Sequence, residues 1–199
     1  MISGSDPEPR VTGAVRVCGM DEVGRGALAG PLVAAAVVLP EQFSHPQLRD
    51  SKRLTPSQRE KLAPLIRAAA TMVLVIEVSA SEIDRRGVGW ANRTAFESLL
   101  AAAHADQFLV DGNLRLTSLK PYRSVIGGDD VIPAISAASV IAKVHRDNLM
   151  AEMDEAFPEY QWRANKGYGS PVHLAAIRDL GTTPQHRLSF LHNLETLPF

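Results

Sequence analysis

Three strand-like segments of this 199-residue chain lead into acidic residues, with a glycine within two positions of each acidic stretch. The segments cover about residues 14–20, 107–110 and 122–126, and their composition is typical of buried strands. Because active sites in open α/β sheets favour the edge at which strands end, we expect the acids to gather there. The pattern predicts a mixed α/β domain with a central sheet, rather than a regular βαβ alternation.

The acids that end these segments are Asp21, Glu22, Asp111 and either Asp129 or Asp130. Carboxylates crowded in a low dielectric repel one another, and divalent cations relieve that repulsion. Oxygen ligands suit Mg²⁺ or Mn²⁺, and no Cys/His cluster in the sequence favours zinc. Taken singly, Asp111 and Asp129 also fit ordinary turns. Adjacent strand residues face opposite ways, so Asp21 and Glu22 share a site only if the strand ends or bends there, or if one offers a carbonyl.

Periodicity and turn residues outline the remaining elements. Further buried strands are expected over residues 32–39 and 72–78. Thr55, Pro56 and Gln58 form a capping box and predict a helix to about residue 69. Other helical segments are expected over residues 80–86, 90–103, 133–156 and 173–180, with an interruption at Gly87 and Gly89 and a polar loop over 161–170.

Composition favours one compact domain over residues 13–199, preceded by a flexible tail over residues 1–12. The net charge of −1 gives no general attraction for nucleic acid, so phosphate binding has to rest on local features. The single cysteine, Cys18, lies in an apolar run, which predicts a buried strand residue and fits a reducing cytoplasm. The longest apolar run is eight residues, too short for a bilayer, and the polar N-terminus does not resemble a signal peptide.

A glycine-rich segment follows the first acid pair, with Gly24, Gly26 and Gly30 around Arg25. Glycines expose main-chain N–H groups and allow a ligand to approach the backbone closely. A nucleotide-cofactor turn is one interpretation of this spacing. Such a turn opens a helix, however, whereas a strand-like run follows Pro31.

Read together, these segments resemble the signature of bacterial ribonuclease HII, the type 2 ribonuclease H. The resemblance extends over about residues 15–192. The matching motifs are Asp21-Glu22-Val23-Gly24-Arg25-Gly26, Ala29-Gly30-Pro31, Asp50-Ser51-Lys52, Asp111-Gly112, Gly128-Asp129, the run 135–147, Lys166-Gly167-Tyr168 and the run 186–190.

The resemblance implies a ribonuclease H-like fold, with a central mixed sheet, flanking helices and a C-terminal helical part. It implies endonucleolytic hydrolysis of the RNA strand of RNA–DNA hybrids. It also implies nicking of duplex DNA on the 5′ side of embedded ribonucleotides, leaving 5′-phosphate and 3′-hydroxyl ends. Two Mg²⁺ or Mn²⁺ ions are the implied cofactors.

By the same resemblance, Asp21, Glu22, Asp111 and Asp129 correspond to the four catalytic and metal-binding acids, with Asp21 shared by both ions. Asp130 stands where the family often has serine. We expect Asp130 either to lie beside the metal ligands or to be the N-cap of the long helix that follows.

The implied substrate-binding residues are Gly24, Arg25, Gly26, Lys52, Tyr168 and Ser170. The glycine turn would read the ribose 2′-hydroxyl through its main chain, the group that distinguishes RNA from DNA. Tyr168 would pack beside that sugar, although without the family it fits an aromatic residue packed on the C-terminal helices equally well. Arg25 and Lys52 can each pair with a phosphate, and Ser170 can contact one.

The expected partners are RNA–DNA hybrids and DNA duplexes containing ribonucleotides, bound by a monomer in the cytoplasm with no membrane association. We expect His145, His173 and His186 to be structural, although His186 and Arg187 could neutralise a phosphate. A catalytically inert hybrid-binding module is the remaining alternative, and the complete set of acids argues against it.

Overall fold

The computed structural model describes residues 15–40, 42–43, 45–46, 48 and 54–191. In this part of the chain five strands form one mixed sheet. They are β1 (Val17–Val23), β2 (Leu32–Val38), β3 (Met72–Val78), β4 (Gln107–Asp111) and β5 (Arg123–Val125). The order across the sheet is β3-β2-β1-β4-β5, with β1, β2 and β3 antiparallel and β1, β4 and β5 parallel. The expected mixed α/β architecture is confirmed.

Seven α-helices surround or follow the sheet in the described residues. They are α1 (Pro56–Ala69), α2 (Ala80–Arg86), α3 (Val88–Ala102), α4 (Gly128–Val131), α5 (Pro133–Ala156), α6 (Trp162–Asn165) and α7 (Pro171–Leu180). Short 3₁₀ turns cover Pro158–Tyr160 and Leu188–Phe190. The predicted capping box of α1 is present, since the side chains of Thr55 and Gln58 each accept a hydrogen bond from the other's main-chain N–H.

The sheet lies between two helical layers because β2 is apolar on both faces. Leu32, Ala34 and Ala36 pack in one core with α2 and α3. The alternate residues Val33 and Ala35 pack in a second core with α1 and α5. Cys18 is fully buried in the first core, as its sequence context predicts, and burial raises the pKa of its thiol to about 12.

A third, smaller core forms the C-terminal helical part. It joins Met150 near the end of α5, Tyr160, Trp162 in α6 and Ile177 in α7 to Ala29 of the segment between β1 and β2. The C-terminal part therefore packs directly behind the glycine-rich segment.

Several expected boundaries differ from the structure. Strand β1 begins at Val17 rather than residue 14 and continues through both acids to Val23. Helix α3 begins at Val88, so Gly89 lies in its first turn, where the interruption expected at that glycine does not occur. The stretch 161–170, expected as a polar loop, contains α6, because the fully buried Trp162 anchors a helical turn within a polar sequence.

No described helix combines the length and apolar character that crossing a bilayer requires. The expected tail over residues 1–12 lies outside the described residues, and the division of the chain into tail and domain stays a prediction.

Candidate active site

Asp21 and Asp111 lie at the same level on neighbouring strands. The parallel register of β1 and β4 pairs Met20 with Val110, so each acid is the next residue on its strand. Met20 and Val110 both face the core containing α3, which leaves Asp21 and Asp111 on the face covered by α5. The sheet register therefore brings together two acids that are 90 positions apart in the sequence.

Asp129 reaches this edge from a short helix and not from the end of a strand. After β5, Gly127 adopts a left-handed conformation and α4 begins at Gly128. The main-chain N–H of Gly128 donates to Oδ1 of Asp111 over 2.7 Å, which sets α4 directly against the first two acids. A Cβ at Gly128 would lie 2.5 Å from Cδ1 of Ile135, so a larger residue would require that buried side chain to shift. The side chain of Ser136 donates to the main-chain carbonyl of Asp129, linking α4 to α5.

Asp21 and Glu22 lie within a regular strand. Because β1 stays paired with β2 through Val23, the possibility that the strand ends at the acids is wrong. Alternation places Asp21 towards α5 and Glu22 on the opposite face. Oδ1 of Asp21 accepts from the main-chain N–H of Glu22 over 2.8 Å, whereas Glu22 forms an ion pair with Arg25 at 3.3 Å.

The acids perturb one another electrostatically. The pKa of Asp21 is raised to about 8, mainly by burial and also by the neighbouring charges of Glu22 and Asp111, while a hydrogen bond from Ser139 opposes the rise. Burial also raises the pKa values of Glu22 and Asp111. Asp129 is only 7% exposed. This edge therefore concentrates carboxyl groups that are costly to ionise together, a situation that a cation would reverse.

The donor set fits a hard divalent cation, because it consists of carboxylate oxygens. Within the described residues no three carboxyl, imidazole or thiol groups are already arranged to hold one ion. Asp130 is not the cap of the long helix, since Ile132 is the N-cap residue of α5 and provides no side-chain hydrogen bond.

The glycine turn beside the acids contains two different kinds of glycine. Gly24 has a φ of +88°, and a Cβ there would lie 2.2 Å from Nε of Arg146. Gly26 has no such φ, and a Cβ there would meet nothing within 4 Å. The fold itself thus requires glycine at position 24, while position 26 is open towards solvent.

Tyr168 lies next to this turn. The main-chain N–H groups of Leu28 and Ala29 donate to the carbonyl of Gly167 over 2.8 and 3.1 Å, which fixes the residue before Tyr168 to the turn. The ring of Tyr168 is 37% exposed and lies 5.5 Å from the guanidinium of Arg146. The structure therefore places an accessible aromatic ring beside the turn.

The other substrate-binding candidates differ in how the structure treats them. The hydroxyl of Ser170 accepts from the main-chain N–H of His173 and is the N-cap of α7. Arg25 is largely exposed apart from its pair with Glu22. Lys52 lies outside the described residues.

The histidines are structural, as expected. His173 and His186 are buried and joined through their Nε2 atoms at 3.1 Å, and Trp162 donates to His173 over 2.9 Å. The suggestion that His186 and Arg187 neutralise a phosphate is wrong, because both are buried and Arg187 donates to main-chain carbonyls instead. His145 pairs with Glu77 at 2.6 Å.

Sequence reasoning missed the two buried arginines behind the turn, Arg146 and Arg187. Their signal in the sequence was weak: a cation on the buried side of a long helix, and a cation in a loop near the end of the match. Only the fold shows that both guanidinium groups converge on the same turn.

Comparison with known proteins agrees with this geometry. The family model described as Ribonuclease HII matches residues 18–193. The chain belongs to the ribonuclease HII family. A ribonuclease HII from Chlorobium luteolum is 47% identical over 186 residues, covering 88% of each chain.

Solved structures show the ribonuclease H-like fold. The ribonuclease H2 of Pyrococcus horikoshii superposes with a TM-score of 0.75 at 24% identity, covering 92% of this chain and all of that one. Bst-RNase HIII, solved in complex with Mn²⁺, has a TM-score of 0.68 at 18% identity and covers 97% of this chain and 74% of its own.

As a member of the ribonuclease HII family, the chain is an enzyme, an endoribonuclease of the ribonuclease H type that acts on RNA–DNA hybrids. The inert binding module is therefore wrong. The nucleotide-cofactor interpretation is also wrong, because strand β2 begins directly after Pro31 where a cofactor turn would open a helix.

Proposed function

We propose that Asp21, Glu22, Asp111 and Asp129 hold divalent ions, Mn²⁺ or Mg²⁺, and that phosphodiester hydrolysis takes place between them. The observation that carries this proposal is the convergence of Asp21, Asp111 and α4 at one sheet edge, tied by the Gly128–Asp111 hydrogen bond. The Mn²⁺ bound to Bst-RNase HIII supports the class of ion.

When bound, a pair of such ions activates water and stabilises the leaving oxygen of a phosphodiester. The chain's own residues position the reaction. Asp21 is the candidate shared ligand, with Asp111 beside it on β4 and Asp129 in α4, which packs against Asp111. Glu22 faces the other side of β1 and pairs with Arg25 at 3.3 Å, so a cation bound to Glu22 would compete with that ion pair. The products would have 5′-phosphate and 3′-hydroxyl ends.

We propose further that the glycine turn selects the sugar at which cutting occurs. Gly26 supports this, because nothing in the fold fills the space beside its Cα, and a ribose can approach the main chain there. Tyr168 is exposed beside the same turn and can lie against the sugar. Arg25 and Lys52 would contact phosphates, and Ser170 has its hydroxyl at the N-terminus of α7.

This arrangement places the proposed sugar-reading turn directly after the strand that bears Asp21 and Glu22. In line with the family resemblance, we propose that a DNA duplex with one embedded ribonucleotide is nicked on the 5′ side of that ribonucleotide. We propose that the enzyme acts as a monomer. The buried thiol of Cys18 fits a reducing compartment, and we propose the cytoplasm.

The test is nicking of a labelled DNA duplex with one ribonucleotide, in Mn²⁺ or Mg²⁺ and in chelator. Asp21→Asn and Asp129→Asn each keep the side-chain shape and are expected to lower the single-turnover rate at least about 10³-fold, equivalent to about 4 kcal/mol. Asp106→Asn is the matched control, since Asp106 lies just before the opposite end of β4 and pairs with Arg16. That variant should cut normally.

Two results would contradict the proposal. One is full activity in Asp21→Asn or Asp129→Asn. The other is cutting of an all-DNA duplex as fast as the duplex with a ribonucleotide. Mapping the product ends by ligation and by phosphatase treatment identifies the side of the cut.

A further inference from the structure

Two fully buried guanidinium groups lie behind the glycine turn. Arg146 projects from α5, and Arg187 lies just before the last 3₁₀ turn; both are 0% exposed. In the described part of the chain, their hydrogen bonds all go to main-chain carbonyls. Burying two like charges is costly, and burial lowers the pKa of each arginine, that of Arg187 to about 10.

Arg146 joins the turn to the segment that carries Tyr168. Its guanidinium donates to the carbonyls of Pro31 at 2.9 Å and Ala29 at 3.0 Å, on the β2 side of the turn. The same group donates to the carbonyl of Lys166 at 2.8 Å, two residues before Tyr168. One rigid planar group therefore fixes the distance between the turn and the aromatic ring.

Arg187 holds the two ends of the turn itself. It donates to the carbonyl of Gly24 over 2.7 Å and of Arg25 over 3.1 Å, at the start of the turn. It also donates twice to the carbonyl of Gly30, at 2.9 and 2.8 Å. With these carbonyls occupied from behind, the main chain around Gly26 is fixed facing outwards.

We propose that Arg146 and Arg187 are positioning residues for ribose specificity in this enzyme. They fix the distance between the glycine turn and the Tyr168 ring. A sugar can then contact the turn and the ring together only when its 2′-hydroxyl fits the turn. This inference rests on the proposed reading of ribose by the turn. Neither arginine contacts the acids in the described structure, so loosening the pair should impair selection and spare the hydrolytic step.

The test separates selection from hydrolysis by steady-state kinetics. The substrate is a DNA duplex with one ribonucleotide, and an all-DNA duplex of the same sequence is the competitor. For Arg146→Lys and Arg187→Lys, we expect the KM for the ribonucleotide duplex to rise at least about tenfold, because lysine keeps the charge but loses the planar fork. The kcat for that duplex and the Ki of the all-DNA competitor should each change less than about threefold.

Lys120→Met is the matched control, because Lys120 also donates to two main-chain carbonyls, those of Ala101 and Ala103, away from the site. A merely structural role for the arginines would lower kcat through loss of folded enzyme and leave KM and Ki unchanged, as in the control. Unchanged KM in both lysine variants, with the wild-type preference for the ribonucleotide duplex intact, would overturn the inference. Lack of that preference in the wild-type enzyme would instead overturn the proposed function.

Hydrogen exchange on the wild-type enzyme gives a reading that does not depend on whether the variants fold. If the arginines keep the turn in its final conformation, the N–H groups of Leu28, Ala29 and Gly30 should be protected from exchange even without substrate. Fast exchange at these groups that becomes slow only with the ribonucleotide duplex would contradict a preformed turn.

Discussion

The glycine turn directly follows β1, which contributes two residues to the acid edge, but the fold stabilises the turn and the edge in opposite ways. At the acid edge, buried carboxyl groups raise one another's pKa values. At the turn, carbonyls are satisfied by two arginines, and N–H groups are bonded to the segments around Gly167 and Gln185. One region is left electrostatically unbalanced and the other is internally complete.

This difference suggests how the two tasks are divided. Selection of a sugar needs a rigid surface, because small displacements destroy discrimination between a hydroxyl and a hydrogen. Hydrolysis by bound ions needs a cluster of charges that folding alone does not neutralise. On the proposed assignment, the chain pre-forms the surface that would read the substrate and leaves the hydrolytic centre to be completed by cations.

Two glycine-to-alanine variants of the turn, each adding one methyl group, give the strongest test of this difference between the regions. Gly24→Ala should destabilise the protein by about 4 kcal/mol, because the residue has a positive φ and its Cβ would overlap the buried Arg146 side chain. Gly26→Ala should leave stability within about 0.5 kcal/mol, since no protein atom is near. Denaturant unfolding monitored by circular dichroism measures both.

Gly26→Ala should nevertheless slow nicking at a single ribonucleotide, by about tenfold or more, because the methyl group would occupy the space offered to the sugar. Gly89→Ala is a suitable control, as its Cβ also meets nothing within 4 Å and it lies in α3. Normal nicking by Gly26→Ala would remove the turn from the list of sugar contacts.

A second prediction concerns the acid edge without metal. The folded-state pKa of Asp21, about 8, exceeds its ordinary value of 3.8, so the folded protein binds the extra proton between these limits. This contribution to stability is complete below pH 4 and is lost as the pH rises towards 8. Asp21→Asn should therefore reduce the fall in unfolding free energy between pH 5 and pH 7 by about 3 kcal/mol at most.

Metal addition gives the complementary measurement. Mg²⁺ or Mn²⁺ should raise the Tm of the wild-type protein more at pH 8 than at pH 6, and Asp21→Asn should lose most of that increase. Equal stabilisation of the variant and the wild type would place the bound ions elsewhere.

The smallest expected effect lies behind the turn. His186 pairs with Ala29 in an isolated antiparallel β-bridge. Burial, together with the nearby His173, lowers the pKa of His186 from 6.5 to about 4. Its contribution to stability is complete above pH 6.5 and is lost as the pH falls towards 4, by about 1 kcal/mol between pH 6.5 and pH 5.5. His186→Gln should flatten this slope and the exposed His104→Gln should not, as pH-dependent unfolding would show.

Much of the fold could be predicted because local rules determine it. The capping box of α1, the apolar runs of β2 and β3 and the long pattern of α5 all agree with the structure. The position of Asp129 could not be predicted in the same way. A glycine pair followed by two acids fits a strand end as well as a helical turn, and the contact of Gly128 with Ile135 and Asp111 decides between them.

The candidate site shows the same limit more strongly. The acids could be proposed from sequence because carboxylates after strands are unusual, and the glycine turn because its residues are distinctive. Arg146 and Arg187 could not, since their role depends on carbonyls up to 163 positions away. A main-chain carbonyl accepts a hydrogen bond whatever the residue type, so the sequence does not show which residues accept these bonds.

The hydrogen bonds of Arg187 also have a consequence for synthesis of the protein. The turn leaves the ribosome early, whereas the arginine that holds its carbonyls follows 163 positions later. The strands that bear Asp21 and Asp111, and the long helix that covers them, are all made before that arginine. A nascent chain can thus bring the proposed hydrolytic acids together before the proposed sugar-reading turn is held, and we expect selectivity only after the segment around Arg187 has been made.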